Sequence, residues 1–249
     1  MKKYVAFSLA FILILCLQNT FADTLNIDLD NASYDEVVEA INTLKAVRLK
    51  MVTEQFANSH SRNSSDGISF RKIPWGSTRA EAEEIVGKAN STDRRYILNT
   101  ISGRHRNGLG LQDQYKDWVV AGYPVEYSSL YYVFPVVDDI LIRDDSLSQF
   151  YLAQYRFPNL GDVNAAVSDI SEKLKSLYGE YKIGTYGEFI WSDKDGNTLV
   201  LESHPDISLM YYAANAEELI AAAKRAVDLE NAEQEEMVRM QNQGNTDGL

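Results

Sequence analysis

The segment from Phe70 to Gly87 constrains the fold more than any other part of the chain. It reads Phe-Arg-Lys-Ile-Pro-Trp-Gly-Ser-Thr-Arg-Ala-Glu-Ala-Glu-Glu-Ile-Val-Gly. Serine and threonine satisfy the free amides at a helix start, and glycine suits the position after a helix end. The segment therefore predicts a short strand, a Pro-Trp-Gly turn and a helix capped by Ser77 or Thr78. It marks the start of the folded domain near Ile68, after a polar linker over residues 58–67.

The order of the later elements predicts an α+β fold. A second helix, over residues 160–178, carries an apolar stripe and is also followed by glycine. Segments rich in tyrosine and valine come after each helix and predict antiparallel strands. These segments are 117–125, 129–137 and 148–157 after the first helix, and 186–192, 198–203 and 207–213 after the second. Grouped strands favour an antiparallel sheet or sheets with helices packed on one face, and two tandem helix-plus-sheet units stay open.

Two further helices flank this α+β domain, which we assign to residues 68–215. Ser33 and Glu36 have the spacing of a capping box and predict an amphipathic helix over residues 33–57, within an N-terminal segment 23–57. A C-terminal helix is predicted over 216–240, with a disordered tail at 241–249. One structural interpretation makes both helices oligomerisation elements of an envelope protein.

Residues 1–22 have the three parts of a bacterial secretory signal peptide. Lys2 and Lys3 precede an apolar run from Val5 to Leu17, and Thr20-Phe21-Ala22 places small residues before a cleavage site. The apolar run is shorter than the roughly 20 residues that span a bilayer. Cleavage would also remove Cys16, the only cysteine, so the mature chain would be free of disulfides. We expect a periplasmic or secreted protein with no transmembrane segment after cleavage, and an uncleaved anchor is the alternative.

Several motifs of the domain resemble those of a group of exported bacterial proteins of undefined role. In that group a Trp-Gly-Ser turn opens a short helix, and a later helix ends in Tyr-Gly. The matching residues here are Ile73 to Ser77, Leu174 to Gly179, Trp191 before a hairpin, and Leu199 to Leu201. The layout is more distantly similar to periplasmic helix-then-sheet modules, namely the small lipoprotein of the barrel-assembly machinery and the β-lactamase-inhibitor-protein fold.

The resemblance covers roughly residues 68–213 and departs from the group's pattern at Val86, where leucine is usual, and in the basic insert 102–110. The chain also lacks the lipid-carrying cysteine of the barrel-assembly lipoprotein. Because the shared motifs are turns and helix ends, the resemblance implies a fold and carries over no catalytic residue.

The charge distribution suggests one binding surface. The formal net charge is −12 at pH 7, which argues against a nucleic-acid partner because phosphates would be repelled. Between Arg71 and Arg106, however, eight basic residues face only four acidic ones. A surface for an anionic ligand or an acidic partner is predicted from Arg94, Arg95, Arg104, His105 and Arg106, and a solvated loop is the alternative.

Aromatic residues crowd the first group of predicted strands. Alternate residues of a strand face opposite sides, so some of these rings are expected to leave the core. Exposed tyrosine suits the binding of a protein or a sugar because it buries a large area at low entropic cost. We therefore add Tyr127 and Tyr131 to the predicted binding residues, and a tyrosine-rich core is the alternative.

Two pairs of carboxylates support a different function. Asp138-Asp139 and Asp144-Asp145 flank a short apolar run, and such pairs could do acid–base chemistry or hold a cation. They suggest a carboxylate-dependent hydrolase acting on envelope material, whereas solvated turns are the other interpretation. The run from Asp193 to Asn197 resembles half of a calcium loop, but it fits a hairpin turn better.

The sequence contains no recognisable nucleophile–base pair, zinc-ligand spacing or phosphate-binding loop. We therefore predict no catalytic residue, no metal and no cofactor. The favoured interpretation is an exported, non-catalytic binding or interaction module of the bacterial cell envelope. Its expected partner is a protein or an envelope component.

Overall fold

The computed structural model describes residues 33–60, 67–94, 108–203 and 206–246. The chain divides into two compact units, Met1–Gln55 and Phe56–Leu249. The predicted signal peptide lies outside the described residues. Helix α1, Tyr34–Ser59, begins at the predicted capping box, where the Ser33 amide donates to the Glu36 carboxylate at 2.7 Å and the Glu36 amide donates to the Ser33 hydroxyl at 3.3 Å.

The described part of the second unit contains three more helices and twelve strands. The helices are α2 Arg79–Val86, α3 Val163–Tyr178 and α4 Ala216–Thr246. The strands are β1 Ser91–Asp93, β2 Gly110–Tyr115, β3 Val119–Val120, β4 Tyr123–Pro124, β5 Tyr127–Val133, β6 Val136–Val137, β7 Ile140–Leu141, β8 Gln149–Arg156, β9 Lys182–Ile183, β10 Phe189–Ser192, β11 Thr198–Glu202 and β12 Ser208–Tyr212.

Eight of these strands form one antiparallel sheet in the order β1-β2-β5-β8-β12-β11-β10-β9. The first four follow α2 in the chain, and the other four follow α3. The two sets meet at β8 and β12, which are the last strands of each. The hairpins β3–β4 and β6–β7 form small sheets of their own. The predicted α+β class is confirmed, and the strand order has the form of two tandem helix-plus-sheet units.

The Pro-Trp-Gly turn anchors the start of the domain as the sequence predicts. Trp75 is fully buried and stacks on Phe150 with the ring centroids 4.8 Å apart. Its indole nitrogen donates to the Ile68 carbonyl at 2.8 Å. Of the two predicted caps, Thr78 is the one used, in a capping box with Glu81.

The short strand predicted before this turn is a tight turn instead. Phe70 and Ile73 form an isolated bridge with each other, and the two residues between them, Arg71 and Lys72, have φ of 49° and 62°. Left-handed backbone at both central positions closes a two-residue hairpin. The segment from Phe70 to Ile73 therefore reverses the direction of the chain and adds no strand to the main sheet.

One face of the large sheet carries the hydrophobic core. Paired residues of neighbouring strands project to the same side, so the pairing defines rows across the sheet. One row of this face contains Asp113, Leu130, Ala153, Tyr211, Leu199 and Trp191, and another contains Tyr115, Ser128, Tyr155, Leu209, Leu201 and Phe189. The core on this face also contains Ala82 of α2 and Ile170 of α3.

The last two helices are each connected to particular strands. Helix α3 begins at Asp162, whose carboxylate accepts the Ala165 amide at 3.0 Å, and it ends at Gly179. The Trp191 indole donates to the Gly179 carbonyl at 3.0 Å, which ties the helix end to β10. Helix α4 packs against β5 and the β6–β7 hairpin, and it continues to Thr246, past its predicted end at residue 240.

Candidate functional site

The other face of the large sheet forms an open concavity of about 1130 Å³. Its floor consists of the alternate residues that the core face does not use. Three rows cross it: Asp93, Gln112, Tyr131, Leu152, Tyr212 and Thr198; Ser91, Gln114, Ser129, Gln154, Met210, Val200 and Ile190; and Tyr127, Arg156, Ser208 and Glu202. The turn at Tyr186 to Glu188 and the first turn of α4, at Ala216 and Glu217, complete the lining. This face therefore combines polar side chains with apolar ones such as Ile190, Val200 and Met210.

Tyrosines are spread across this concavity. Tyr131 is buried in its floor, and its hydroxyl donates to the Gln154 side-chain oxygen at 3.3 Å. The Tyr212 hydroxyl donates to the Met210 sulfur at 3.0 Å. Tyr186, on the turn between β9 and β10, is 94% exposed and offers its ring to solvent at the rim.

Arg156 is the only basic residue among the described residues that line the concavity. Its guanidinium donates to the Tyr127 hydroxyl at 3.0 Å and lies 5.7 Å from the centroid of that ring. It also forms ion pairs with Asp206 and, at 3.6 Å, with Glu126. These neighbours raise the pKa of Arg156, with the Tyr127 hydrogen bond as the largest cause. Its charge is thus already matched by carboxylates within the protein.

The acidic residues of the lining are Asp93, Glu188, Glu202 and Glu217. Burial raises the pKa of Glu202 above its ordinary value of 4.5, the nearby Glu188 carboxylate adds to this rise, and a hydrogen bond from Ser208 at 3.4 Å partly offsets it. The Glu188 carboxylate accepts the Tyr186 amide at 2.8 Å. It folds back over Gly184, where a Cβ atom would lie 2.3 Å from it. Glu188 therefore holds the turn that presents Tyr186.

Amide side chains supply neutral hydrogen-bonding groups to the same surface. Gln112 is buried, and its side-chain nitrogen donates to the Ser129 hydroxyl at 2.8 Å. Gln114 and Gln154 lie on either side of Ser129 in the adjacent row. Together with the tyrosines and carboxylates, these amides can donate to and accept from a polar ligand lying along the sheet.

The structure brings together only part of the predicted binding set. Tyr127 and Tyr131 both line the concavity. Arg94 does not, since its guanidinium pairs with Asp145 at 2.5 Å and its side chain is 73% exposed. Arg95, Arg104, His105 and Arg106 lie outside the described residues.

Most of the other aromatic residues of the first group of predicted strands are buried in the core. These are Tyr132, Phe134, Phe150, Tyr151, Tyr155 and Phe157. A bulge between β5 and β8 pairs Tyr132 with Phe150, and their ring centroids lie 5.9 Å apart. The tyrosine-rich core that the sequence left open as an alternative is present alongside the surface tyrosines.

The two carboxylate pairs lie on different turns, and neither pair lines the concavity. Asp138 and Asp139 form the tip of the β6–β7 hairpin with φ of 49° and 61°. Asp144 accepts the Ser146 amide at 2.9 Å and closes the next turn, and Asp145 pairs with Arg94. These positions are typical of turn residues.

The run from Asp193 to Asn197 forms the β10–β11 hairpin, as predicted. Although burial opposes the shift, hydrogen bonds from Asn197, Ile68 and Asp195 lower the pKa of Asp193. Within the described ranges, no group of three or more histidine, cysteine or acidic residues is placed to hold a metal ion. Among the described helices, none combines the length and apolar character needed to cross a membrane.

In comparisons with known proteins, no family model, no curated protein and no solved structure matches the chain. The resemblance to exported proteins with a Trp-Gly-Ser turn therefore stays a prediction.

Sequence reasoning missed most of the polar residues of this site, including Gln112, Gln154, Glu188 and Glu202. The available signal was the alternation of Thr-Leu-Val-Leu-Glu in β11, which buries both leucines and turns the other three residues to the opposite side. That signal identifies a polar face on one strand. It does not show which residues of other strands lie beside it.

Proposed function

We propose that this chain is an exported, non-catalytic binding module of the bacterial cell envelope, and that the concavity of the large sheet is its ligand site. The observation that carries the proposal is the difference between the two faces of the large sheet. One face contains most of the core, whereas the other is concave and bears tyrosine, amide and carboxylate groups among apolar side chains. Concave surfaces with a few convergent polar groups are the usual form of ligand sites.

Export is the second part of the proposal, and it is supported by the sequence of residues 1–22. Lys2 and Lys3, the apolar run and the small residues before Asp23 have the order of a cleaved signal. The intact mass of protein recovered from the producing bacterium tests this part. A mature chain that begins at Asp23 supports it, and a full-length chain retained in the cytoplasm contradicts it.

Photocrosslinking tests the location of the ligand site. A benzophenone amino acid in place of Thr198 lies in the concavity, and the same amino acid in place of Ser176 lies exposed on α3 as the matched control. We expect a discrete adduct with envelope material from position 198 and none from position 176. Equal labelling from both positions, or none from position 198, would reject the concavity as the site.

A further inference from the structure

We infer that the concavity binds an extended polypeptide segment rich in lysine or arginine. This inference rests on the proposed function, because it names the class of ligand for the same site. It differs from the anionic ligand that the basic sequence window suggests, since the residues that form the concavity carry the opposite charge.

The charge of the lining supports a cationic ligand. Four carboxylates line the concavity against one guanidinium, that of Arg156. That guanidinium is paired with Asp206 and Glu126, so it offers little attraction to an anion. Lys182 of the edge strand β9 lies opposite Ile190 in the strand register. Its side chain is exposed and lies outside the lining of the concavity. A surface of this sign steers cations towards it and repels anions.

The aromatic groups offer a second feature that favours ammonium and guanidinium groups. The face of a tyrosine ring attracts a cation placed within about 6 Å of its centroid. Arg156 and Tyr127 already show this geometry at 5.7 Å inside the site. The ring of Tyr186 is 94% exposed at the rim, so a ligand cation can stack on it. The Glu188 carboxylate accepts the backbone amide of the same residue, so it lies in the same turn.

The shape of the site favours a chain over a single small amine. The lining reaches from β1 to β10, which are separated by five intervening strands. At about 4.8 Å between neighbouring strands, this distance is close to 30 Å. An extended peptide rises about 3.3 Å per residue, so a segment of about nine residues would span it. The glutamine amides of the floor suit the carbonyl and amide groups of such a backbone.

The acidic pair at Glu188 and Glu202 gives a reason for cation binding to be coupled to protonation. The two carboxylates repel each other. The groups near Glu202 on β12 are Ser208 and Tyr212. Arg156 of β8 lies two strands away from Glu202, opposite Ser208. A ligand cation beside Glu202 favours the ionised form of that carboxylate. Binding of a basic peptide should therefore weaken on acidification, as Glu202 gains a proton.

Fluorescence anisotropy with labelled hexalysine tests the inference directly. We expect saturable binding that falls as salt is raised, with no binding of labelled hexaglutamate. The double variant Glu188→Gln/Glu202→Gln should bind hexalysine at least about tenfold more weakly. The control Glu84→Gln/Glu235→Gln makes the same change of charge at two exposed helix positions outside the lining, and it should change affinity less than about twofold. Tyr186→Ala should weaken binding without changing the charge.

Three other results would overturn the inference. Equal losses in both double variants would show general attraction to an acidic protein and would overturn the inference. If spermine competes at the same concentration as hexalysine, the ligand is a free polyamine and the peptide inference is overturned. Binding of a neutral oligosaccharide such as chitohexaose in place of hexalysine, weakened by Tyr186→Ala, would overturn the cationic ligand while leaving the proposed site intact. Circular dichroism and thermal melts confirm that each variant is folded.

Discussion

Asp113 shows how a single buried charge is tolerated in this fold. The side chain is fully buried, and its carboxylate accepts hydrogen bonds from the Arg79 guanidinium at 2.7 and 3.1 Å and from the Thr92 hydroxyl at 2.6 Å. These three bonds join the start of α2 to β1 and β2. An ionised carboxylate without such partners would be strongly disfavoured in the core.

Replacing this carboxylate is expected to be costly. The variant Asp113→Asn keeps the size of the side chain but leaves Glu83, 3.0 Å from the Arg79 guanidinium, as that group's remaining carboxylate partner. Breaking a buried ion pair typically destabilises a protein by about 3–5 kcal/mol, so we expect a loss of about 3 kcal/mol in the free energy of unfolding. Urea denaturation at neutral pH measures it, with the exposed Glu84→Gln as control. A loss as small as that of the control would show that the pair contributes little.

Glu202 gives a pH dependence of known sign. Because burial raises its pKa, the folded state binds more protons than the unfolded state from the ordinary value of 4.5 up to the raised pKa. The free energy of unfolding contributed by this group is therefore highest below 4.5 and falls as pH rises through that window. Glu202→Gln should lose this dependence, so its stability relative to wild type should improve from acidic to neutral pH. Thermal melts across that range would contradict the account if the difference did not change with pH.

Helix α4 is an element with two unlike halves. Its first half contributes Ile220, Ala223 and Ala226 to the buried core, whereas Leu229 and Val238 further along are about half exposed. The Arg143 guanidinium binds Glu230 at 2.5 Å close to the boundary between the halves. Burial of the first half stabilises the domain, whereas no described side chain of this helix after Ala226 is buried.

A matched pair of substitutions tests this division. Ile220→Ala removes a buried side chain and should cost about 2–4 kcal/mol, while Val238→Ala at an exposed helix position should change stability by less than about 0.5 kcal/mol. Urea denaturation of both variants gives the comparison. Similar losses at both positions would mean that the second half is also packed, as in the oligomeric interpretation. Light scattering on a chain ending at Glu230 would then show whether the helix joins two copies.

At the scale of the whole molecule, the two strand sets of the second unit share one core. Five residue pairs join β8 to β12 across their boundary. The rings of Tyr155 and Tyr211 meet there with centroids 6.0 Å apart, and Phe70 contacts both rings. Because the core is continuous, neither set can expose its face to water without the other losing its packing partner.

The two strand sets are therefore expected to unfold together. Trp75 stacks on Phe150 of β8 and Trp118 on Tyr115 of β2, whereas Trp191 belongs to β10. One variant can therefore report on the first set and another on the second. Tryptophan fluorescence of Trp191→Phe follows the first set, and that of the double variant Trp75→Phe/Trp118→Phe follows the second. In each variant, the fluorescence midpoint should coincide with the midpoint of its own far-ultraviolet circular dichroism. Separate midpoints would indicate two independently folding halves.

Much of the architecture could be predicted because it depends on neighbours in the chain. The capping boxes at Ser33 and Thr78, the glycine ends of α2 and α3, and the Asp193 hairpin are local devices, and all of them are present. The strands that escaped prediction are β1, β2, β7 and β9. Three of them are only two or three residues long, and β2 carries a buried Asp113 that breaks the expected alternation. Its burial depends on Arg79, which lies far away in the sequence.

The amino-acid sequence by itself determined the α+β class, the helix ends and the turn that starts the domain, because caps, turns and periodicity act over a few residues. Only the tertiary structure decided where a ligand site could form. Glu188, Glu202, Tyr127 and Gln112 come from four separate stretches of chain and share one concavity through the order of the strands and the register of their pairing. A shift of one residue in that register would turn a strand's polar side chains into the core, and no short-range pattern specifies it across eight strands.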